Sequence, residues 1–545
     1  MSGGAAEHAG GHVKWWGWGD PEKSVELGPE AVSMLRSELG EAEPAERVEL
    51  EQVVLPEPRP LPAEIAAAVG PAAVLQGREH RIRRAAGRGY PDLVRLRSGR
   101  LEHAPDAVVL PGSAAEVERV LEVCSQEGIA VVPFGGGTSV VGGVEPLRGG
   151  FEGLVSLDLR RLRDVLVDRG SLTAALGPGL RGPEAEEALN AQGVTLGHFP
   201  QSFEYATIGG FAATRSAGQA SSGYGRFDEL VTSIGLTAPA GDLRTLEIPH
   251  SAAGPALREL IVGSEGALGV ITSVTARVRP LPERRRYEAW MAADFASGAE
   301  VVRSLAQAEA LPDVVRVSDQ TETRFSLGLS GTAGAKRALL SSYLRLRRRA
   351  GGCLIVCGWE GEPEAVERRR ALSARVLRAG GAAALGGAPG RAWERGRYEG
   401  PYLRDELLDL GYLAETLETA HTWSRLGHLY DEVRAAIGAA LANQGTPGVV
   451  FCHLSHAYRD GASLYFTFLA RARRGEEIEQ WRIVKAAACE AIVEAGGTIT
   501  HHHAVGRDHV PYMPAEVGEL GIEVLRAVKE RLDPAGIMNP GKLIP

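Results

Sequence analysis

The sequence predicts a two-lobed α+β protein, and three observations carry that expectation. The chain has 545 residues, far more than the roughly 150 that one hydrophobic core usually needs. From about Ala104, short apolar strands alternate with helices (DAVVLPGS, AAEVERVLEVCSQEG, IAVVPFGGGTS) and lead into a glycine-rich turn. After GSEGALGVITSVTARVRPLPE, which ends at Glu283, a new texture begins with an amphipathic helix over about Ser297 to Ala310 and continues in fresh strands and helices.

These changes divide the chain into an N-terminal extension (1–103), a first lobe (104–282), a second lobe (283–500) and a closing segment (501–545). The extension holds an aromatic knot of Trp15, Trp16 and Trp18 and the proline-rich stretch LPEPRPLPAE, which suits a segment packed onto a larger body. In the first lobe, LVSLDL and SLTAALGPG read as strands and GPEAEEALNAQG as a helix. A long loop of Gly, Ser, Thr and Ala follows, small enough for backbone to approach a ligand. In the second lobe GGCLIVCGWEGE reads as a strand. Its Cys353 and Cys357 belong to the core, because no second cysteine pair completes a metal site. The arginine run from Leu344 to Ala350 reads as a solvated helix face, not as a nucleic-acid or phospholipid patch.

Composition narrows the function classes. A net charge of −9 gives no broad positive field for nucleic acid, although a local arginine pair could still hold a small anion. Five scattered cysteines and the lack of a charged-then-apolar leader fit a reducing, cytoplasmic compartment. No apolar stretch approaches the roughly 20 residues needed to cross a bilayer.

The turn PFGGGTSVVGG follows a strand, and consecutive glycines expose backbone N–H groups that can cradle a phosphate. It does not open directly into a helix as a Rossmann fingerprint would, and a plain tight turn is its alternative. Three segments taken together resolve the choice. Pro133, Phe134, Gly135, Gly136, Gly137, Thr138 and Ser139 come first. Gln201, Ser202, Phe203, Glu204, Tyr205, Ala206 and Thr207 follow, with Phe211, Ala212, Ala213 and Thr214 just after. Glu265, Gly266, Ala267, Leu268, Gly269, Val270 and Ile271 come last. In order and spacing they resemble the flavin-contacting segments of the vanillyl-alcohol-oxidase, or PCMH-type, family. The resemblance implies an FAD-binding domain with a cap domain. The first segment would hold the pyrophosphate, the second the ribityl and isoalloxazine, and the third the adenine end. It also implies an unattached FAD, with His198 as a lining or packing residue.

KWWGWG near the start, YLRDELLDLGYLAETLETAHTW, CHLSHAYRDGASLYFTF and GGTITHHHAVGRDH narrow the resemblance to the alkyldihydroxyacetonephosphate synthases. Those enzymes exchange the acyl chain of acyl-dihydroxyacetone phosphate for a long-chain alcohol, with the flavin as an electrophilic anchor and no net redox change. Carried over by position, Tyr458 handles a proton beside the reactive carbon, Arg404 binds the substrate phosphate, and Arg316 is a further catalytic residue. A phenol has an ordinary pKa near 10, so Tyr458 would need assistance from positive charge or hydrogen bonds. His501, His502 and His503 are the expected source, with His501 and His503 on one side if the segment is extended. Metal binding or a polar strand is the alternative for the triplet, and scaffold pairing with Asp405 or Asp319 for the arginines. No metal is expected. The resemblance further implies a homodimer, and a lipid substrate makes a peripheral membrane contact an expectation too. A bacterial cytoplasmic location is expected, since the chain ends in GKLIP without a peroxisomal address.

Two departures stand out: Arg459 and Asp460 follow the tyrosine, and Ala504 follows the histidines where glycine is usual. The rival reading is an FAD-dependent 2-hydroxyacid dehydrogenase of the D-lactate or glycolate type. Such enzymes hold a metal through histidines, but only His456 is in place here, with Ser463 and Tyr465 where an asparagine and a second histidine would be expected. A flavin-binding scaffold without activity would not need Tyr458, Arg404 and three histidines.

Overall fold

The computed structural model describes residues 13–329 and 341–545. In the first lobe, β1 (Val74–Leu75), β2 (Ala107–Val109), β3 (Ile129–Phe134) and β4 (Gly153–Asp158) form a mixed sheet in the order β1-β2-β4-β3. The parallel β2-β4-β3 core forms because the helix Ala114–Glu127 carries the crossover, buries Val117, Val120, Leu121 and Cys124, and is capped by the Ser113 hydroxyl. Its strands are buried nearly end to end, as parallel strands covered on both faces are.

The chain then lays down β5 (Val165–Asp168), β6 (Thr173–Leu176), β7 (Val194–Thr195), β8 (Val231–Ala238), β9 (Gly241–Arg244), β10 (Val270–Arg277) and β11 (Arg279–Pro280). β5-β6-β10-β8-β9 is an antiparallel sheet, and β7 with β11 is a short ribbon. β5 is exposed at alternate positions and solvates one edge, while β8 and β10 pack the inner core.

The second lobe is built on one seven-stranded antiparallel sheet. Its strands are β12 (Arg284–Ala292), β13 (Val314–Ser318), β14 (Cys353–Gly361), β15 (Ala383–Gly386), β16 (Tyr412–Thr422), β17 (Gly448–Ala457) and β18 (Gly461–Arg471). They run in the order β15-β12-β14-β13-β17-β18-β16. Helices 295–307, 363–379, 423–443 and 477–494 pack against this sheet and fill the largest apolar cluster of the molecule. Cys353 and Cys357 are fully buried on β14, within that core.

The terminal segments cross between the lobes. Trp15, Leu35, Leu39, Tyr90 and Leu93 of the extension join the second lobe's core. The closing segment runs back to the first lobe, where Val131 donates to the Ile537 carbonyl and Asn539 donates to the Val131 carbonyl. The arginine run is a short helix over 341–346 and the turn after it, with Arg345, Arg347 and Arg348 exposed.

Candidate active site

Two constructions meet between the lobes: a backbone cradle in the first and a polar cluster hung on the second. The cradle comes from the glycine turn after β3. A side chain at Gly135 would meet Thr207 Oγ1 at 2.2 Å, and one at Gly136 the Tyr205 carbonyl at 2.0 Å, so only glycine lets this turn lie against residues 205–207. Gly137 has a φ of +66°, and Ser139 Oγ closes the turn by accepting from Gly143 N–H at 2.9 Å. The third segment locks on from the other side. Gly263 and Glu265 donate to the carbonyls of Ala212 and Ala213, and Gly266 lies against the Pro133 ring. The structure therefore brings all three flavin-type segments together.

Within those segments the backbone and the side chains have different duties. Phe211, Ala212, Leu268 and Ile271 belong to the core of the antiparallel sheet, and Val270 to that of the parallel one. Phe203 stacks on Tyr398 at 5.6 Å, on an open groove between the lobes. The Glu265 carboxylate accepts the N–H groups of Val505 and Gly506 at 2.8 and 2.7 Å, tying the cradle to the histidine segment. Burial pushes this carboxyl up to about 7 despite those bonds. His198 is buried between Phe211 and Phe227, with Nε2 on Ser216 Oγ at 3.0 Å.

KWWGWG proves to be a strap over the same place. Trp18 N–H donates to Asp405 Oδ2 at 2.7 Å, and a side chain at Gly17 would collide with that carboxylate. Asp20 N–H donates to the Tyr205 hydroxyl, which meets Tyr402 Oη at 3.2 Å. Segment 201–207 is thus tied to the helix Gly400–Asp409, which carries Arg404.

The cluster begins at the β17–β18 hairpin. Tyr458 N–H donates to the Gly461 carbonyl at 2.8 Å, so Arg459 and Asp460 form a two-residue loop. One residue earlier the ladder slips between Ser455 and Ala457, and His456 takes a φ of +50°. Such a bulge re-aims the strand end, here towards the first lobe, where His456 Nδ1 meets Ser221 Oγ at 2.6 Å. Tyr458 Oη lies 2.8 Å from His501 Nε2, and His501 Nδ1 lies 3.0 Å from His502 Nδ1.

The triplet is not extended, which corrects the expected pairing of His501 with His503 on one face. Its backbone curls so that the N–H groups of His501, His502 and His503 all point at the Glu418 carboxylate, at 2.5, 3.0 and 2.7 Å. Thr500 Oγ1 donates to the same group at 2.7 Å. Burial works against the Glu418 charge, but the histidines and the backbone N–H groups hold its carboxyl well below the usual carboxylate range. Among the described residues, ligand atoms of Glu418, His501 and His502 lie within 4.8 Å of one another. Four donors already occupy the carboxylate, so it serves the fold of the loop and offers a cation little.

The arginines separate. Arg316 pairs with Glu322 at 2.5 Å and with His453 Nε2 at 3.1 Å, not with Asp319, whose carboxylate takes Arg434, Tyr430 and Cys452 N–H. Burial, with Arg316 alongside, lowers His453 to about 4, so its neutral ring accepts from Arg316 at Nε2 and donates from Nδ1 to Glu322. Its other face stacks on Tyr465 at 4.7 Å. Arg404 makes no ion pair among the described residues, its buried Nε has no partner, and the neighbouring Asp405 carboxylate is engaged by the strap. A guanidinium left free in this way is available to an anion.

Comparison with known proteins decides the family. Residues 105–247 match the model described as FAD binding domain, and residues 281–543 match FAD linked oxidases, C-terminal domain. Alkyldihydroxyacetonephosphate synthase of Dictyostelium discoideum is 33% identical, over 98% of this chain and 93% of its own. A solved alkyldihydroxyacetonephosphate synthase superposes with a TM-score of 0.84 at 31% identity, covering 98% of this chain and 99% of that one. The chain belongs to the alkyldihydroxyacetonephosphate synthase family. At 15% identity and a TM-score of 0.67 over 88% of this chain and 95% of that one, p-cresol methylhydroxylase shares the fold alone.

Family membership makes this an FAD-dependent enzyme, and the cradle fits the cofactor. A pyrophosphate needs converging N–H donors with no side chain in the way. Among the described residues the N–H groups of Gly135 to Ser139 donate to no other protein group. Sequence reading found this cradle and the Tyr458–histidine pair. It missed Glu418, whose signal was a carboxylate in a strand otherwise buried almost throughout.

Proposed function

We propose that this enzyme exchanges the acyl chain of an acyl-dihydroxyacetone phosphate for a long-chain fatty alcohol, the committed ether-forming step of a lipid. The observation that carries the reading is Tyr458 Oη, held 2.8 Å from the buried His501 imidazole in the lobe that also presents the unpaired Arg404. The residues of the cradle (133–139, 201–207, 211–214 and 265–271) would hold FAD. When bound, the flavin supplies an electrophilic ring with no net oxidation over the cycle.

The rest falls to the chain's own groups. Arg404 binds the phosphate, for which a planar fork of donors suits two oxygens at once. Arg316, fixed by Glu322 and His453, orients the substrate from β13. Tyr458 holds and moves the proton at the reacting carbon, and burial raises its phenol above the ordinary range, so it rests protonated. His501 Nε2 is the group that receives that proton.

Non-covalent FAD belongs to the same reading and is supported by His198, which is turned into an aromatic core. So do homodimerisation, a shallow membrane contact and a cytoplasmic location, which gel filtration, vesicle flotation and cell fractionation test. Among the described residues no helix is long and apolar enough to cross a membrane. The deciding experiment mixes the flavin-loaded protein anaerobically with palmitoyl-dihydroxyacetone phosphate and hexadecanol, and separately with D-lactate or glycolate. Alkyl-dihydroxyacetone phosphate formed without net flavin bleaching is expected. Bleaching by a hydroxyacid with no ether lipid would transfer the site to the dehydrogenases.

A further inference from the structure

The loop that follows the second flavin segment runs onto the second lobe and is stapled there. Gln219 Nε2 donates to the Arg397 carbonyl at 3.1 Å, and Tyr224 Oη to Glu360 Oε2 at 3.0 Å. Between them Ser221 opens the short helix Ser221–Tyr224, buried, with its Oγ 2.6 Å from His456 Nδ1. That bond crosses between the lobes two residues before Tyr458. A buried hydroxyl needs an acceptor for its hydrogen. The Ser221 hydroxyl makes no other hydrogen bond among the described residues, so it donates, Nδ1 accepts, and the ring hydrogen of His456 sits on Nε2. Burial holds His456 well below the ordinary histidine range, which keeps this ring neutral beside the other imidazoles.

We propose that Ser221 is a positioning residue of the reaction: its hydrogen bond fixes the His456 imidazole, on which the His501 ring rests, and so holds His501 and Tyr458 in register with the lobe that binds the flavin. The role rests on the reading of Tyr458 as the group that moves the proton. The contacts run in series. The His456 ring stacks on that of His501, with centroids 5.3 Å apart and planes at 24°, and stands edge-on to His502 at 4.9 Å. His501 Nε2 in turn lies 2.8 Å from Tyr458 Oη. The backbone adds a second link, because the ladder slips between Ser455 and Ala457 and His456 takes a φ of +50°. An L-residue keeps that conformation only where its surroundings hold it. Removing the hydroxyl leaves a buried imidazole without its anchor. The ring can then turn about χ2 or exchange tautomers, and the stack that supports His501 loosens with it. Arg404 and the glycine turn lie on other elements, so the effect falls on the geometry of proton transfer and not on binding of phosphate or flavin.

The test compares wild type with Ser221→Ala, which removes the bond, and Ser221→Thr, which keeps a hydroxyl, each as the full chain loaded with FAD. Because Gln219 and Tyr224 still staple the loop, Ser221→Ala should retain its flavin spectrum. Its kcat in the ether-forming assay should fall about 10- to 100-fold, the cost of misplacing a reacting group by about 1 Å, while KM for palmitoyl-dihydroxyacetone phosphate stays within about twofold. Ser221→Thr should recover most of the lost kcat. Nitrogen NMR without substrate, with the His456 signals assigned by His456→Asn, should show one tautomer in wild type, with the hydrogen on Nε2, and a mixture of the two in Ser221→Ala. His456→Asn breaks the same bond from the other lobe and should also lose kcat at unchanged KM, which keeps the test open should Ser221→Ala fold poorly. A kcat within about twofold of wild type in folded, flavin-loaded Ser221→Ala would overturn the proposal. So would a hydrogen on Nδ1 of wild-type His456, or a loss of activity that only follows a loss of flavin. Failure of the synthase reading would show as ether lipid absent from the wild-type assay, and failure of the Tyr458 reading as full turnover in Tyr458→Phe. Both leave the tautomer measurement standing.

Discussion

The cradle and the cluster lie side by side, yet they are made by opposite means. The cradle is backbone, and its critical contacts are between a glycine turn and a neighbouring segment 70 residues on, with no side chain required beyond Thr207 and Ser139. The cluster is side chain, and its members arrive from three places: Glu418 on β16, Tyr458 after β17 and the triplet at 501–503. Cofactor binding should therefore fail through sterics at one glycine, and chemistry through loss of single polar groups. Each should fail without the other.

The largest effect expected is loss of the flavin itself. Gly136→Val places a branched side chain where even a Cβ lies 2.0 Å from the Tyr205 carbonyl. The purified protein should be colourless, with the 450 nm absorption gone, while the second lobe's core remains folded by circular dichroism. A yellow Gly136→Val protein would show that the turn is not the cradle. Tyr458→Phe should do the reverse. It should keep a full flavin spectrum and lose about 10²- to 10⁴-fold in turnover, the usual contribution of a positioned proton-transfer group.

That contrast also explains what could be read in the sequence. The cradle was legible because its information is contiguous: the spacing of PFGGGTS, QSFEYATIGGFAAT and GSEGALGVIT survives as backbone shape. Tyr458 and the triplet were legible as unusual residues in recognisable segments. Their partners were not. Glu418 is 83 residues from His501, and its three N–H contacts depend on a curl of 501–503 that alternation rules cannot anticipate. The arginine pairing followed the same rule: the acids adjacent in sequence, Asp405 and Asp319, are used by other partners, and Arg316 finds Glu322 six residues away.

Stability should distinguish the two regions next. Glu418→Ala strands four buried donors and should cost about 3–5 kcal/mol by urea denaturation, lowering activity with it. Acid should act through different groups. Glu418 has a depressed folded pKa, so its contribution is present above the ordinary glutamate range and is lost only as the pH falls through that lower value. His503 and His509 are lowered to about 3 by burial, the first with Glu418 opposing and the second with Lys485 adding. Unfolded histidine takes its proton near 6.5 and these do not, so each removes up to about 1.4 kcal/mol of stability per pH unit as the pH falls from 6.5 towards 3. His509→Phe should flatten the slope of stability between pH 7 and 5 by one proton's worth. An unchanged slope would mean that His509 is protonated in the folded protein.

The smallest effect concerns strain that only one region can shed. Among the non-glycine residues with positive φ near the site are Glu265 in the cradle at +51°, and His456 and Ala504 in the cluster at +50° and +75°. Glu265 is held there by its bonds to Val505 and Gly506, and His456 by its bond to Ser221, so either replacement would remove a polar contact along with the strain. Ala504 has only a methyl group, and its one polar role is the carbonyl that His509 Nδ1 approaches at 3.0 Å, which any residue retains. A left-handed L-residue is disfavoured by about 1–2 kcal/mol, and glycine recovers this less about 0.5–1 kcal/mol of added chain entropy. Ala504→Gly should therefore raise stability by up to about 1 kcal/mol and leave turnover and the flavin spectrum unchanged. If turnover falls while stability rises, the strained alanine is holding the triplet against Tyr458, and the cluster depends on backbone geometry as strictly as the cradle does.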